Sequence, residues 1–215
     1  MNLLAGLISL IILLFSAILH EVAHGFVAER LGDPTARLAG RLTLNPRKHI
    51  DLYMSILLPL LLIISGSPVI FGAAKPVPVD PFNLKDGRKD MALVSLAGPL
   101  TNIIIAIISV TLIKIINLTA GPFFPPFLSL IYFLLLQITH LNLLLAIFNL
   151  IPIPPLDGSK IFALILPDKE AAIYLSLSSI GFFIIFFLLL FPIGGFSLGS
   201  MVYNILIFAE KLLGI

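Results

Sequence analysis

The chain has 215 residues, 59% of them hydrophobic and 11% charged, and a mean hydropathy of +1.14, which excludes an ordinary water-soluble domain. The formal charge of +2 is too small to predict nucleic-acid binding. Cysteine is absent, which excludes disulfides and thiolate metal sites, so any bound metal must be held by His, Asp or Glu.

Five apolar stretches are long enough to cross about 30 Å of hydrocarbon as helices of roughly 20 residues. They lie at residues 3–27, 91–116, 128–151, 172–192 and 196–213. The first has no basic segment before it and meets its first positive charge at Arg30. We therefore expect an uncleaved helix with its N-terminus outside and its other end in the cytosol, in an all-α polytopic membrane protein.

A shorter apolar run at residues 52–64 either crosses the membrane or turns back at residues 65–68. A full crossing would place Asp157 and His20 on opposite sides of the membrane, whereas a re-entrant segment places them on the same side. Residues 29–50 and 72–90 together carry nine Lys and Arg, while residues 117–127 carry none. This distribution indicates two cytosolic segments and favours the re-entrant alternative.

Two segments beside this run have extended patterns. Residues 36–45 alternate loosely between apolar and polar side chains, which is the period of a strand. In residues 69–79, Pro76 and Pro78 exclude helix and fit an edge strand or a polyproline-like segment. We expect a short β segment at the membrane surface and a single domain over residues 1–215, since the sequence has no repeats or low-complexity tract.

The first apolar stretch contains an H-E-x-x-H motif, His20-Glu21-Val22-Ala23-His24. On a helix both histidines point from one face, so they can bind one zinc ion at about 2.0–2.1 Å. Glu21 flanks that face and is placed to take a proton from metal-bound water. Ionisable residues in a membrane helix are costly unless they are paired, metallated or hydrated, so the motif predicts a zinc site rather than chance histidines.

A catalytic zinc takes three protein ligands and keeps one position open. Asp157 is the candidate for the third ligand, because it follows prolines that break the preceding helix at the membrane edge. An Asp-Gly pair after prolines is by itself an ordinary turn. Beside a two-histidine helix that needs one carboxylate, we interpret Asp157 as a ligand.

Together, the helical H-E-x-x-H motif and the distant Leu156-Asp157-Gly158 resemble the motifs of the site-2 protease family of intramembrane zinc metalloproteases. The likeness includes residues 72–79 and 97–102 and covers residues 5–165. It implies a three-helix catalytic core within residues 3–165, flanking helices within residues 172–213, and one zinc ion per chain. It also implies cytosol-side cleavage of transmembrane proteins or peptides in the lipid bilayer.

The same resemblance implies that Asn149 binds the substrate or the oxyanion, and that residues 69–79 receive the substrate as an added strand. An unwound substrate helix needs partners for its freed N–H and C=O groups, which a strand edge can supply. Each implication has a structural alternative: an interhelical hydrogen bond for Asn149 and a surface loop for residues 69–79.

Several other polar or small residues are interpreted as structural. At Gly98, Pro99 and Asn102, small residues permit close helix packing and the amide can bridge to a neighbouring helix. His140 belongs to a polar patch with Gln137 and Asn142. His49 lies in a basic loop and is given no special role.

The main alternative function is a metal-ion or proton transporter that uses the intramembrane His, Glu and Asp residues. Transport predicts such residues at successive depths in several helices, and residues 91–116 and 172–192 contain none. A zinc-stabilised structural protein would need a fourth ligand, and none is obvious. The sequence therefore predicts a multi-pass intramembrane zinc metalloendopeptidase, in a prokaryotic cell membrane.

Overall fold

The computed structural model describes residues 3–57, 60–61, 64, 74–119 and 125–215, and these residues are mostly helical with no sheet. In chain order, the helices are α1 (Leu3–Leu31), α2 (Thr35–Leu38), α3 (Gly87–Thr119), α4 (Pro126–Asn149), α5 (Asp157–Phe162), α6 (Asp168–Ser176), α7 (Ser178–Leu190) and α8 (Leu198–Leu213). Single helical turns lie at Pro46–Lys48, Leu52–Leu57, Pro81–Asn83 and Ala163–Ile165.

Three of the helices are long and apolar enough to cross a membrane, and they correspond to the first three predicted spans: Leu4–Leu31, Gly87–Thr119 and Pro126–Asn149. A fourth span results if α6 and α7, which bend by 64° at their junction, are taken together. The last predicted span, α8, has 16 residues and is therefore about 24 Å long, less than the hydrocarbon thickness. The predicted count of five spans is not confirmed.

The three long helices form the centre of the molecule. Contacts between later residues of α1 and earlier residues of α3, such as His24 with Val94, show that these two helices run in opposite directions. Helices α1 and α4 run in the same direction, because Ser9 contacts Gln137 and Ser16 lies further along α1 against Asn142. The C-terminal ends of α1 and α4 therefore lie at the same end of the bundle.

A glycine ends α1 and turns the chain back. Gly32 has φ +115°, its N–H donates to the Glu29 carbonyl, and the Asp33 N–H donates to the Ala28 carbonyl. This is the Schellman arrangement, which caps the last carbonyls of a helix. Leu84 then packs with Ala28, so the segment between α1 and α3 returns to the end of the bundle from which it left.

The strand predicted for residues 36–45 is wrong. The short helix α2 forms there instead, just after the Asp33 carboxylate accepts the Thr35 N–H, and Gly40 then adopts φ +62°, which lies outside the β region. Residues 74–80 lie outside any helix or strand. Residues 69–73 of the second extended candidate, and residues 58–59, 62–63 and 65–71 of the short apolar run, lie outside the described residues.

The C-terminal helices cover one side of the core. Leu198 and Val202 of α8 pack with Ile185 of α7 against Ile151, in the segment between α4 and Asp157. Further along α8, Leu206 packs against α3 and α4. These apolar contacts hold α8 antiparallel to α4.

Candidate metal centre

The two histidines of the motif lie one turn apart on the face of α1 that packs against α3. Both are buried, with 5% of His20 and 8% of His24 exposed. Their rings meet edge to face with centroids 4.6 Å apart, and the two Nε2 atoms are 3.0 Å apart. The helical spacing therefore brings one nitrogen of each ring to a common point.

Asp157 reaches the same point from the other end of the sequence. Helix α4 ends at Asn149, the proline-containing loop 151–156 follows, and α5 begins at Asp157. The Asp157 Oδ2 atom lies 3.1 Å from Nε2 of His20 and 3.2 Å from Nε2 of His24. A side chain on Gly158 would collide with the Leu150 carbonyl, so glycine is required for the loop to fold back this closely.

A chain of amides fixes the protonation of His20. Asn142 donates to the Ile138 carbonyl and to Ser16, so its own oxygen faces Asn102 and accepts the Asn102 amide N–H at 2.8 Å. The Asn102 oxygen therefore faces Nδ1 of His20 at 2.6 Å, which makes Nδ1 the protonated nitrogen. The Nε2 atom of His20 is left with a lone pair.

His24 has the same tautomer for a simpler reason. Its Nδ1 lies 2.7 Å from the backbone carbonyl of Val94, which can only accept a hydrogen bond, so Nδ1 carries the proton. Outer partners of this kind orient a metal-binding imidazole and fix its tautomer. Both Nε2 lone pairs thus point at each other and at the Asp157 carboxylate.

The donor set fits a zinc ion. Three unprotonated ligand atoms lie 3.0–3.2 Å apart with no hydrogen between them, an arrangement that repels itself unless a cation lies among them. A tetrahedral zinc ion with ligands at about 2.0–2.1 Å separates them by about 3.3–3.4 Å. No other group of three or more such ligands occurs in the described part of the chain.

Gly98 of α3 makes room for this site. A Cβ atom there would lie 2.5 Å from Cε1 and Nε2 of His20 and 2.6 Å from Nε2 of His24. Gly98 and Asn102 were interpreted from the sequence as structural, Gly98 for close packing and Asn102 for an amide bridge to a neighbour. In the structure Gly98 is the wall of the site, and the Asn102 amide meets its first histidine. The spacing of four between them, on one helix face, was a usable signal, because it places both toward the same neighbour.

Glu21 lies beside the three ligands and is not one of them. Its Oε2 atom accepts the backbone N–H of Val77 at 2.8 Å, which ties it to the irregular segment 74–80. Both residues line a cavity of about 370 Å³ together with the three ligands. The predicted flanking position of Glu21 is thus observed.

The cavity has three further polar side chains. Asn149 lies at its wall, as expected for a substrate contact, and donates one amide hydrogen to the Leu145 carbonyl of its own helix at 2.9 Å. Sequence reasoning missed the other two: Lys160, 3.4 Å from Oδ1 of Asp157, and Ser95, whose buried hydroxyl has no partner within the described residues. A lysine one helical turn after the aspartate was the available signal for Lys160.

The predicted polar patch around His140 is divided in the structure. His140 pairs with Glu210 of α8 at 2.8 Å, Gln137 contacts Ser9, and Asn142 belongs to the amide chain behind His20. His140 lies away from the metal centre, which agrees with a structural role.

At the C-terminal end of α1, Asp33 organises the returning segment. Its side chain is fully buried. Burial raises the pKa of this carboxyl, but hydrogen bonds from Thr35, Asn83 and the Asp80 backbone N–H outweigh burial and lower it below its usual value. Asp33 is therefore ionised at neutral pH and holds residues 80–83 against the end of α1.

Comparison of the sequence with known proteins identifies a family. The model of peptidase family M50 matches residues 8–140 and 126–192. "Putative zinc metalloprotease YwhC" of Bacillus subtilis is 38% identical over 192 residues, which are 89% of this chain and 84% of that protein. No solved structure gives a significant match.

Two more distant relatives carry similar names. "Putative zinc metalloprotease Rip2" of Mycobacterium tuberculosis is 34% identical over 145 residues, 67% of this chain and 52% of that protein. "Putative zinc metalloprotease MJ0611" of Methanocaldococcus jannaschii is 32% identical over 162 residues, 74% of this chain and 71% of that protein. Bacterial and archaeal relatives agree with the predicted prokaryotic membrane. The chain therefore belongs to peptidase family M50, the family of membrane-embedded zinc metalloproteases.

Proposed function

We propose that this chain hydrolyses peptide bonds of transmembrane proteins or peptides near the cytosolic side of the bilayer, with zinc held by His20, His24 and Asp157. The convergence of three unprotonated ligand atoms beside a fixed carboxylate carries the proposal. Zinc bound there supplies Lewis acidity, which activates water near neutral pH and polarises the scissile carbonyl.

Glu21 acts as the general base and then as the general acid. Its Oε2 atom is held by Val77, so the carboxylate has a fixed orientation at the edge of the ligand group. It accepts a proton from the attacking water and returns that proton to the leaving amine. Asn149 keeps one amide hydrogen that its helix does not use, and we propose that this hydrogen stabilises the developing oxyanion.

The depth of the site supports cleavage near the cytosolic end. His20 and His24 lie eleven and seven residues before the end of α1 at Leu31, or about 10–17 Å along the helix. The cavity beside them is the route that we propose for water. Positive charges near that end of α1 support its cytosolic location.

The segment that lines the cavity supports a specific way of binding an unwound substrate. Pro76 and Pro78 have no N–H, and the Val77 N–H is already used by Glu21. The carbonyls of Val77 and Pro78 therefore offer a substrate backbone acceptors rather than donors, while the Pro76 carbonyl is already bound by Arg41. We propose that the freed N–H groups of the substrate bind here, while its carbonyl turns toward the metal.

Transport is not supported to the same degree. A permeation path needs successive polar sites across the membrane, and a single group of three potential metal ligands occurs among the described residues. Membership of peptidase family M50 also favours hydrolysis.

The test is cleavage of a model transmembrane substrate by the purified full chain and its Glu21→Gln variant, with zinc measured in both. We expect one zinc per chain in both proteins and a loss of cleavage of about 10²–10⁴-fold in the variant, the usual contribution of a general base. Mass spectrometry of the products should place the cut in the cytosolic half of the substrate helix.

Glu29→Gln is the matched control, because Glu29 lies on the same helix and pairs with Arg37 outside the cavity. It should cleave at the wild-type rate. Full cleavage by Glu21→Gln would overturn the mechanism, and zinc flux into vesicles without cleavage by the wild type would establish transport instead.

A further inference from the structure

Arg41 is a buried cation close to the cavity. Only 9% of it is exposed. Its Nη2 donates to the Lys75 carbonyl at 2.8 Å and to the Pro76 carbonyl at 3.2 Å, and its Nε is buried without a partner among the described residues. No carboxylate forms an ion pair with it in the described part of the chain. Burying a guanidinium costs free energy unless its charge is balanced, so some other group must balance the charge of Arg41.

The charge is balanced through a peptide group. The carbonyl of Pro76 and the N–H of Val77 belong to the same peptide unit and point in opposite directions. Arg41 donates to that carbonyl, and Glu21 accepts that N–H at 2.8 Å. A cation at one end and an anion at the other polarise the peptide and strengthen both hydrogen bonds.

The same stretch is fixed from a second direction. The Lys75 N–H donates to the His49 carbonyl at 2.8 Å. His49 is fully buried, and its Nε2 lies 2.8 Å from the Thr43 carbonyl, so it donates there and braces the loop from within. Residues 41–49 thus bind both the carbonyl and the N–H of Lys75. His49, which was given no role from the sequence, supplies one of these two contacts.

We propose that Arg41 is the positioning residue of the general base: through the peptide between Pro76 and Val77 it orients the Glu21 carboxylate toward the reacting water. The inference rests on the proposed role of Glu21. Pro76 makes the connection stiff, since its ring fixes φ. Loosening this peptide lets the carboxylate rotate away, and a displacement of about 1 Å from a productive geometry can cost on the order of 10²-fold in rate.

The first test compares Arg41→Gln with Arg37→Gln in the full, zinc-loaded chain. Arg37 is an exposed arginine four residues earlier that pairs with Glu29, so it controls for loss of a positive charge in this region. We expect kcat to fall about 10–100-fold in Arg41→Gln with KM changed less than about threefold, and no change in Arg37→Gln. Zinc content should stay at one per chain in both variants.

Arg41→Lys serves as the conservative variant and as the fallback if Arg41→Gln does not fold. An ammonium group can reach one of the two carbonyls and keeps the charge, so it should restore part of kcat. A rate no better than that of a folded Arg41→Gln would count against charge balance across the peptide.

A double-mutant cycle separates positioning from general stability. In Glu21→Asp the carboxylate is one methylene shorter and cannot hold the Val77 N–H from the same place. Adding Arg41→Gln to that background should then cost less than about twofold in kcat, because the contact it supports is already lost. Independent, additive losses would overturn the proposal.

Hydrogen exchange gives a readout that needs no catalysis. The amides of Lys75 and Val77 are protected by His49 and Glu21, so their exchange should speed up about tenfold or more in Arg41→Gln and stay unchanged in Arg37→Gln. If the wild type does not cleave but exchange responds in this way, the proposed function fails, while the hold of Arg41 on the peptide between Pro76 and Val77 is supported. Unchanged exchange in Arg41→Gln would overturn the proposal that Arg41 positions this peptide, whatever the activity.

Discussion

Two sites in this chain bring an intramembrane histidine against a carboxylate, and they differ in what surrounds the pair. His20 shares its contact with His24 and Asp157, and 7% of its side chain is exposed. His140 contacts Glu210 across α4 and α8, and 44% of its side chain is exposed. The residue types are nearly the same at both sites.

The difference lies in where the protons are. Glu210 faces Nδ1 of His140 directly, so one proton between them satisfies both groups. At the metal centre, the Asn102 amide oxygen and the Val94 carbonyl accept hydrogen bonds from the Nδ1–H groups of the two histidines. The carboxylate therefore faces only the Nε2 lone pairs. Convergence and fixed tautomers therefore mark a metal site, whereas a histidine beside a carboxylate does not.

The largest effect expected from this comparison is on zinc affinity. Asp157→Ala should weaken zinc binding by more than the roughly 10–100-fold that loss of an outer partner costs, because it removes a direct ligand. Glu210→Ala, the matched change at the His140 pair, should leave zinc affinity unchanged. Competition with a chromophoric chelator measures both.

Equal zinc affinity in Asp157→Ala and the wild type would show that the aspartate is not a ligand. Loss of zinc in Glu210→Ala would show that the His140 pair contributes to zinc binding, so the two sites would not differ in the way proposed.

A smaller effect is expected from filling the space beside the histidines. Gly98→Ala places a methyl group 2.5 Å from the His20 ring, so the rings must move or α3 must shift. Overpacking of this kind costs about 1–3 kcal/mol. If the whole cost falls on the free energy of zinc binding, zinc affinity decreases by about 5–150-fold. Gly199→Ala is the control, since its nearest contact, 3.8 Å away, is an ordinary one.

Cobalt substitution gives the matching structural readout. The visible spectrum of a cobalt-loaded Gly98→Ala chain should differ from that of the wild type, while the Gly199→Ala spectrum should not. Wild-type zinc affinity and spectrum in Gly98→Ala would mean that the glycine serves helix packing alone.

The three residues of the candidate metal centre could be predicted from the sequence because each rule that places them is local or chemical. His20 and His24 share a helix face through their spacing of four. Asp157 follows from the need for a third ligand after a helix broken by prolines. The three long spans follow from length and hydropathy in the same way.

The outer partners could not be predicted, because they meet only after the helices pack. Asn102 lies 82 residues from His20, and Arg41 contacts residues 34 and 35 positions later. The alternation in residues 36–45 was a weak signal: a short helix forms at Thr35–Leu38 instead, and Gly40 then turns the chain with φ +62°. Helix α7 is apolar all round, so its sequence does not show the bend between it and α6.

The smallest effect belongs to the His140 pair itself. A double-mutant cycle of His140→Leu and Glu210→Gln should give a coupling free energy of about 0.6 kcal/mol and at most about 1.7 kcal/mol, the range found for polar contacts between membrane helices. Unfolding by a denaturing detergent measures the coupling, with zinc content as a second readout. Zinc should remain at one per chain in all four proteins, because one proton already satisfies this pair. A second zinc ion in the wild type that His140→Leu removes would mean that a lone histidine and carboxylate do bind metal here, and fixed tautomers would no longer distinguish the two sites.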